Sequence, residues 1–155
     1  MIRAAVIVFA TLLPGAVFAA CTEDRLDLRG AFGTASFSIE VADDASERAR
    51  GLMFREEMAR SSGMLFVYEE PAYARFWMKD TPLPLDLLFL DSAGTVTRIH
   101  EDAVPFDLST IDGGEGVQFV LEINAGMSRL LGIEEGAEMR HPSIGPAAAW
   151  PCSEP

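Results

Sequence analysis

Residues 76–86 read Phe76-Trp-Met-Lys-Asp-Thr-Pro-Leu-Pro-Leu-Asp86, a cation, two carboxylates, a hydroxyl and a tryptophan set into an otherwise apolar stretch. As a strand it directs Arg75, Trp77, Lys79 and Thr81 to one face and Phe76, Met78 and Asp80 to the other, because side chains alternate with period two. Pro82 and Pro84 cannot donate to a ladder, so the strand is expected to stop there and turn before Leu85. Hairpin geometry then brings Asp86 back near Lys79. Such a pair serves equally as an ion pair closing a strand end or as part of a site.

Downstream, Leu85 to Asp91 reads as a strand with both faces buried except at Asp86. A carboxylate there needs a donor or a cation, since an unpaired one in apolar surroundings costs several kcal/mol. Lys79, Arg50 and Arg55 are the candidate partners. Ser92-Ala93-Gly94 turns the chain into a strand over Thr95 to Ala103, and Pro105 to Gly116 reads as a loop. Val117 to Ile123 alternates cleanly, with Val117, Phe119, Leu121 and Ile123 inward and Glu122 beside Val120 on the other face. Asn124 is placed to cap a short helix through Met127, Leu130 and Leu131 that ends at Gly132. A last strand, Gly136 to His141, precedes an irregular Pro/Ala-rich tail over 142–155.

Upstream, Arg25 to Arg29 and Thr34 to Ala42 form a half-buried hairpin, the second run alternating Phe37, Ile39 and Val41 with Ser36, Ser38 and Glu40. Asp44 and Glu47 have capping-box spacing, so a short helix is expected from about 45 to 52. Met64 to Tyr68 is a buried strand closed by Glu69-Glu70-Pro71. The sum is a single α+β domain over 21–141: strand-rich, a mainly antiparallel compact sheet or partly open barrel, with two short helices.

The chain has 155 residues, 49% apolar and 23% charged, which suits one globular domain. Its 24 acidic and 12 basic residues give a formal charge of -12, which argues against nucleic acid or an anionic membrane surface as partner. Residues 1–20 read as a cleaved signal peptide: Arg3, then the apolar run Ala4 to Leu13, the break at Pro14-Gly15, and a small-residue site at Val17-Phe18-Ala19. Two cysteines remain, Cys21 and Cys152. In an oxidising periplasm a disulfide between them ties both chain ends together. The competing reading takes Phe18-Ala19-Ala20-Cys21 as a lipoprotein box, with Cys21 tethering the protein to a membrane. Both readings place the domain outside the cytoplasm, periplasmic or secreted in the first case.

The sequence holds no G-x-S-x-G elbow, no H-E-x-x-H, no C-x-x-C and no phosphate-cradling glycine loop. Two histidines do not make a zinc set, and the methionines sit among other apolar residues, so no metal or cofactor is expected. A charged set remains: Arg50, Arg55, Lys79, Asp86 and Glu122, with Trp77 and Thr81. Arginine forks onto carboxylate or phosphate groups, lysine supplies a compact charge, and Trp77 offers a flat face for a ring. These residues suit a binding or accessory module for an anionic or carbohydrate-like envelope component. The alternatives are a hydrolase-type enzyme using Asp86 or Glu122 as general base with Lys79 or Arg55 beside it, and a protein-interaction domain whose charges are a structural ion network.

Arg50-Gly-Leu-Met-Phe-Arg55, Gly63-Met-Leu-Phe66, Phe76-Trp-Met-Lys-Asp-Thr-Pro-Leu-Pro-Leu-Asp86 with Phe89 and Asp91, and Leu121-Glu-Ile-Asn-Ala-Gly126 occur in this order. Together, over roughly residues 34 to 141, they resemble the domain of unknown function 192, also called uncharacterised protein family 0127. The resemblance implies a small, strand-rich α+β domain, often exported, and no established activity. Asp80 departs from the family pattern, where asparagine is common.

Overall fold

A computed structural model describes residues 21–154, so the signal peptide expected over 1–20 lies outside the described residues. The alternating runs become seven strands: β1 (Arg25–Gly30), β2 (Gly33–Ala42), β3 (Ser62–Phe76), β4 (Leu85–Leu90), β5 (Val96–Ala103), β6 (Ile111–Asn124) and β7 (Glu138–Arg140). They form one sheet in the order β5-β4-β6-β3-β2-β1-β7. Neighbouring strands run antiparallel except β2 and β3, which are parallel and joined through the helix α1 (Ala45–Arg50). The mixed sheet curls strongly into a half-barrel. At one end its outer strands meet, where Thr95 bridges Glu138 and the Val96 N–H donates to Ala137 O at 2.8 Å.

Both faces of the sheet are covered, which is why β4 reads as an unbroken apolar run and all six of its residues are buried. One face packs Leu26, Leu28, Phe37, Leu88, Phe119 and Leu121. The other packs Met64, Phe66, Leu85, Leu87, Phe89 and Val120. Each such side chain contributes about 1.5–3 kcal/mol by leaving water.

Two expected boundaries are corrected. β3 does not close at Glu69-Glu70-Pro71 but continues to Phe76. It pairs with β6 in two stretches, Val67 with Phe119 and then Ala72 with Val117, and the register shift between them gives Pro71, with no N–H to donate, an unpaired place. The strand expected over Arg75 to Thr81 therefore ends at Phe76, and Trp77 to Pro84 is a loop. Likewise the expected loop Pro105 to Gly116 is shorter, because β6 begins at Ile111 and pairs there with Phe76. Of the glycines that suggested a turn, Gly113 serves close packing, since a Cβ there would strike the Phe89 ring and come within 2.9 Å of Ala74 Cβ, whereas Gly114 and Gly116 take positive φ values of 85 and 72.

Among the described residues three short helices are present rather than two. In α1 the Asp44 carboxylate accepts from Ser46 N (2.7 Å) and Glu47 N (2.8 Å), the cap that the spacing predicts, and the Glu47 carboxylate accepts from Asp43 N (3.3 Å), one residue before the N-cap. α2 (Met127–Leu131) is not capped by Asn124; its N-cap is Gly126, and Asn124 Nδ2 donates to Ala59 O at 2.9 Å. The third is a 3₁₀ helix, Pro142–Ala147, within the stretch read as an irregular tail. That stretch packs onto the domain: Trp150 is buried between the Arg29 and Arg140 guanidinium groups, 4.8 and 4.2 Å from its ring, and Cys152 is bonded to Cys21. Among the described residues no helix is long and apolar enough to cross a membrane.

Candidate functional site

Register decides which charged residues share a site. Asp86 stands opposite Ile123 and Leu87 opposite Glu122, so β4 and β6 send Asp86 and Glu122 to opposite faces of the sheet. Asp86 is fully buried and accepts from Asp102 N (3.0 Å), Gly126 N (3.0 Å), Ser128 N (2.9 Å) and Ser128 Oγ. α2 begins on a glycine with no side chain to cap it, and Asp86 supplies the missing acceptor from the neighbouring strand. The expected Lys79–Asp86 pair does not form. Because β3 ends at Phe76, the following loop leaves Lys79 exposed, its Nζ 5.3 Å from the Trp77 ring centroid. Asp86 and Lys79 are thus not assembled as a catalytic pair.

On the other face, Arg50, Trp77, Thr81 and Glu122 line one cavity of about 230 Å³, together with Arg48, Tyr68 and Arg75. Glu122 forms its floor at the centre of the sheet, between Met64 of β3 and Leu87 of β4. It is 5% exposed and has no hydrogen-bond or ion-pair partner among the described residues. Burial pushes its carboxyl up to about 8. Tyr68, beside it, is also raised, by its own burial first and by the Glu122 charge in addition, while Arg48 acts the other way.

The cations sit around that floor. Arg48 reaches across β3 to donate to Val67 O at 2.9 Å and lies 5.2 Å from the Tyr68 ring. Arg75 lies 4.8 Å from the Tyr73 ring. Thr81 is buried and its Oγ donates to Lys79 O at 3.0 Å, fixing the loop that carries the half-exposed Trp77. Edge-to-face contacts of Phe76 with Phe66 (5.2 Å) and Phe89 (5.9 Å) hold the aromatic wall.

A larger cavity of about 520 Å³ adjoins the first and shares Arg50, Gly51 and Met53 with it. Here Arg55 forks onto Glu40 at 2.5 and 2.8 Å, which holds the Glu40 carboxyl below its ordinary value. That guanidinium is already engaged. Arg50, at the junction, makes no ion pair and no hydrogen bond through its side chain among the described residues. The sequence missed Arg48, Tyr68 and Arg75. Arg75 carried a signal, since it lies two residues before Trp77; Arg48 and Tyr68 become neighbours only through the packing of α1 on β3.

The loop from Met78 to Thr81 also ties two others together. Phe54 N donates to Asp80 O (2.7 Å) and Phe106 N to Thr81 O (3.2 Å). Asp80 has φ 52, a left-handed conformation that asparagine and aspartate tolerate best, so backbone shape accounts for either residue here. Among the described residues no three His, Cys, Asp or Glu side chains group as metal ligands would.

The family model described as Uncharacterized ACR, COG1430 (DUF192) matches residues 28–141, and the chain belongs to that family. A Sinorhizobium meliloti 1021 structure described as a "putative transcription regulator" is 42% identical, with TM-score 0.76, covering 81% of this chain and 98% of its own. A Novosphingobium aromaticivorans DSM 12444 protein of unknown function is 33% identical, with TM-score 0.73, covering 83% and 90%. No curated protein matches the chain.

Proposed function

We propose that the chain is an exported binding or accessory module whose cleft beside α1 recognises an anionic or carbohydrate-like component of the cell envelope. One observation carries the reading: Glu122, buried and without a partner, lines a cavity with three arginines and Trp77. A polar side chain drawn out of bulk water with no protein partner costs free energy, and a site for a ligand is a physical reason to retain one. The Cys21–Cys152 disulfide supports export, since such bonds persist in oxidising compartments. The same bond favours the disulfide reading of Cys21 over the lipid tether. DNA binding, which the description of the S. meliloti structure would suggest, finds no support in a chain of formal charge -12, because phosphate contacts need a basic surface.

A thermal-shift screen of the purified protein against anionic sugars, nucleotides and cell-wall fragments tests this. A ligand at about 100 times its dissociation constant adds about 2.7 kcal/mol, a shift of several degrees. The shift should vanish in Arg50→Ala, which has no side-chain partner to lose and should melt with the wild type. A screen with no shift from any compound would count against the reading.

A further inference from the structure

We propose, resting on that reading, that the ligand of the cleft carries a carboxylate held between the Arg50 guanidinium and the Glu122 carboxyl, with its ring against Trp77. The need for a partner comes from Glu122. The residue is 5% exposed, lines the cavity and has no hydrogen-bond or ion-pair partner among the described residues. Around it stand Met64, Phe66 and Tyr68 of β3, Leu87 of β4, and the residues of α1 and the Trp77 loop. Of the charged or titratable groups on these elements, Arg48, Arg50, Arg75 and Tyr68 line the cavity, while Glu47 of α1 and Lys79 and Asp80 of the Trp77 loop lie outside its lining. Among the described residues no second acid lines this cavity, so its lining is cationic in character.

Of the three arginines, Arg48 donates to the Val67 and Asp43 carbonyls and Arg75 lies over the Tyr73 ring. Arg50 is the one with neither a hydrogen bond nor a ring contact among the described residues. One fork and one hydroxyl donor match the two oxygens of a carboxylate, whereas a phosphate dianion calls for more donors than this lining offers. The cavity of about 230 Å³ holds a single ring with its substituents. An ionised Glu122 would repel the same carboxylate, so the ligand binds only while Glu122 keeps its proton. Burial holds that proton on at neutral pH, with the midpoint at about 8.

The test is calorimetric titration with glucuronate, benzoate, glucose and inorganic phosphate at pH 7 and pH 9.5. Glucuronate or benzoate should bind at pH 7, with glucose and phosphate at least about tenfold weaker. Affinity should fall about 30-fold by pH 9.5, following the protonated fraction of Glu122. In Glu122→Gln, which keeps a neutral donor, that fall should shrink below about twofold, and Arg50→Ala should abolish binding. Independently of any variant, titrations at pH 8.5 in buffers of different ionisation enthalpy should show uptake of about three-quarters of a proton per ligand. No proton uptake, an equal pH dependence in Glu122→Gln, or glucose or phosphate binding as tightly as the acids would overturn the carboxylate proposal and leave the binding module standing. Absence of heat from every probe, joined to a blank thermal-shift screen, would overturn both.

Discussion

Replacing Asp86 should weaken the fold rather than the cleft. Its carboxylate takes four hydrogen bonds, from the N–H groups of Asp102, Gly126 and Ser128 and from the Ser128 hydroxyl, in a fully buried setting. Asp86→Ala strands three backbone donors at about 1–3 kcal/mol each, part of which relaxation recovers, so the loss should be about 4 kcal/mol. That corresponds to a melting temperature lower by roughly 12 °C for a domain of this size. Asp86→Asn keeps one acceptor oxygen but turns an amide donor toward other donors, and should cost about 3 kcal/mol. Ser128→Ala should cost about 1 kcal/mol alone and much less in the Asp86→Ala background, because the two share a bond. Urea unfolding followed by tryptophan fluorescence measures each, with an unchanged m value required. If Asp86→Asn lay within about 1 kcal/mol of the wild type, Asp86 would not be the cap of α2 and the argument from its bonding would be wrong.

Glu122 gives stability an unusual slope with pH. Its folded value near 8 lies above the ordinary 4.5, so the folded chain keeps a proton that the unfolded chain releases between those limits. Wild-type stability should therefore fall relative to Glu122→Gln as pH rises through that window, by on the order of 4 kcal/mol, and parallel urea midpoints from pH 4.5 to 9 would expose the error. Reducing Cys21–Cys152, 131 residues apart, should cost about 4–5 kcal/mol in the chain-entropy account, visible as a lower melting temperature and exposed Trp150 fluorescence; an unchanged melt would deny the bond a structural role. Gly63→Ala would place a Cβ 2.5 Å from Glu122 O, forcing β3 and β6 apart at a cost of about 2 kcal/mol or more, against the few tenths expected if the site were open.

The strands with clean alternation, such as Phe37 to Val41 and Val117 to Ile123, were legible because burial on one face writes itself into a period of two. β3 was not. Its middle carries Glu69, Glu70 and Pro71, ordinary strand-closing residues, and only the register shift opposite β6 makes room for them. For the same reason the face argument drawn from Arg75 to Thr81 failed past Phe76, while Trp77 and Thr81 reached the cleft through the loop instead. The structure brings only part of the candidate set together, for a specific cause. Sequence shows which residues are charged, but the pairing register decides which face they occupy, and a shift of one residue exchanges Asp86 with its neighbour. Hence Arg50, Trp77, Thr81 and Glu122 come together, Arg55 is held by Glu40 in the adjoining cavity, and Asp86 and Lys79 lie apart.

The most direct measurement is the titration of the Glu122 carboxyl itself by carbon-13 NMR, assigned by comparison with Glu122→Gln. A midpoint near 8 in the unliganded protein is the predicted result, showing a buried acid held in reserve within the cleft. A midpoint near 4.5, the ordinary value, would mean that Glu122 is solvated or paired, and the site described here would lose its centre.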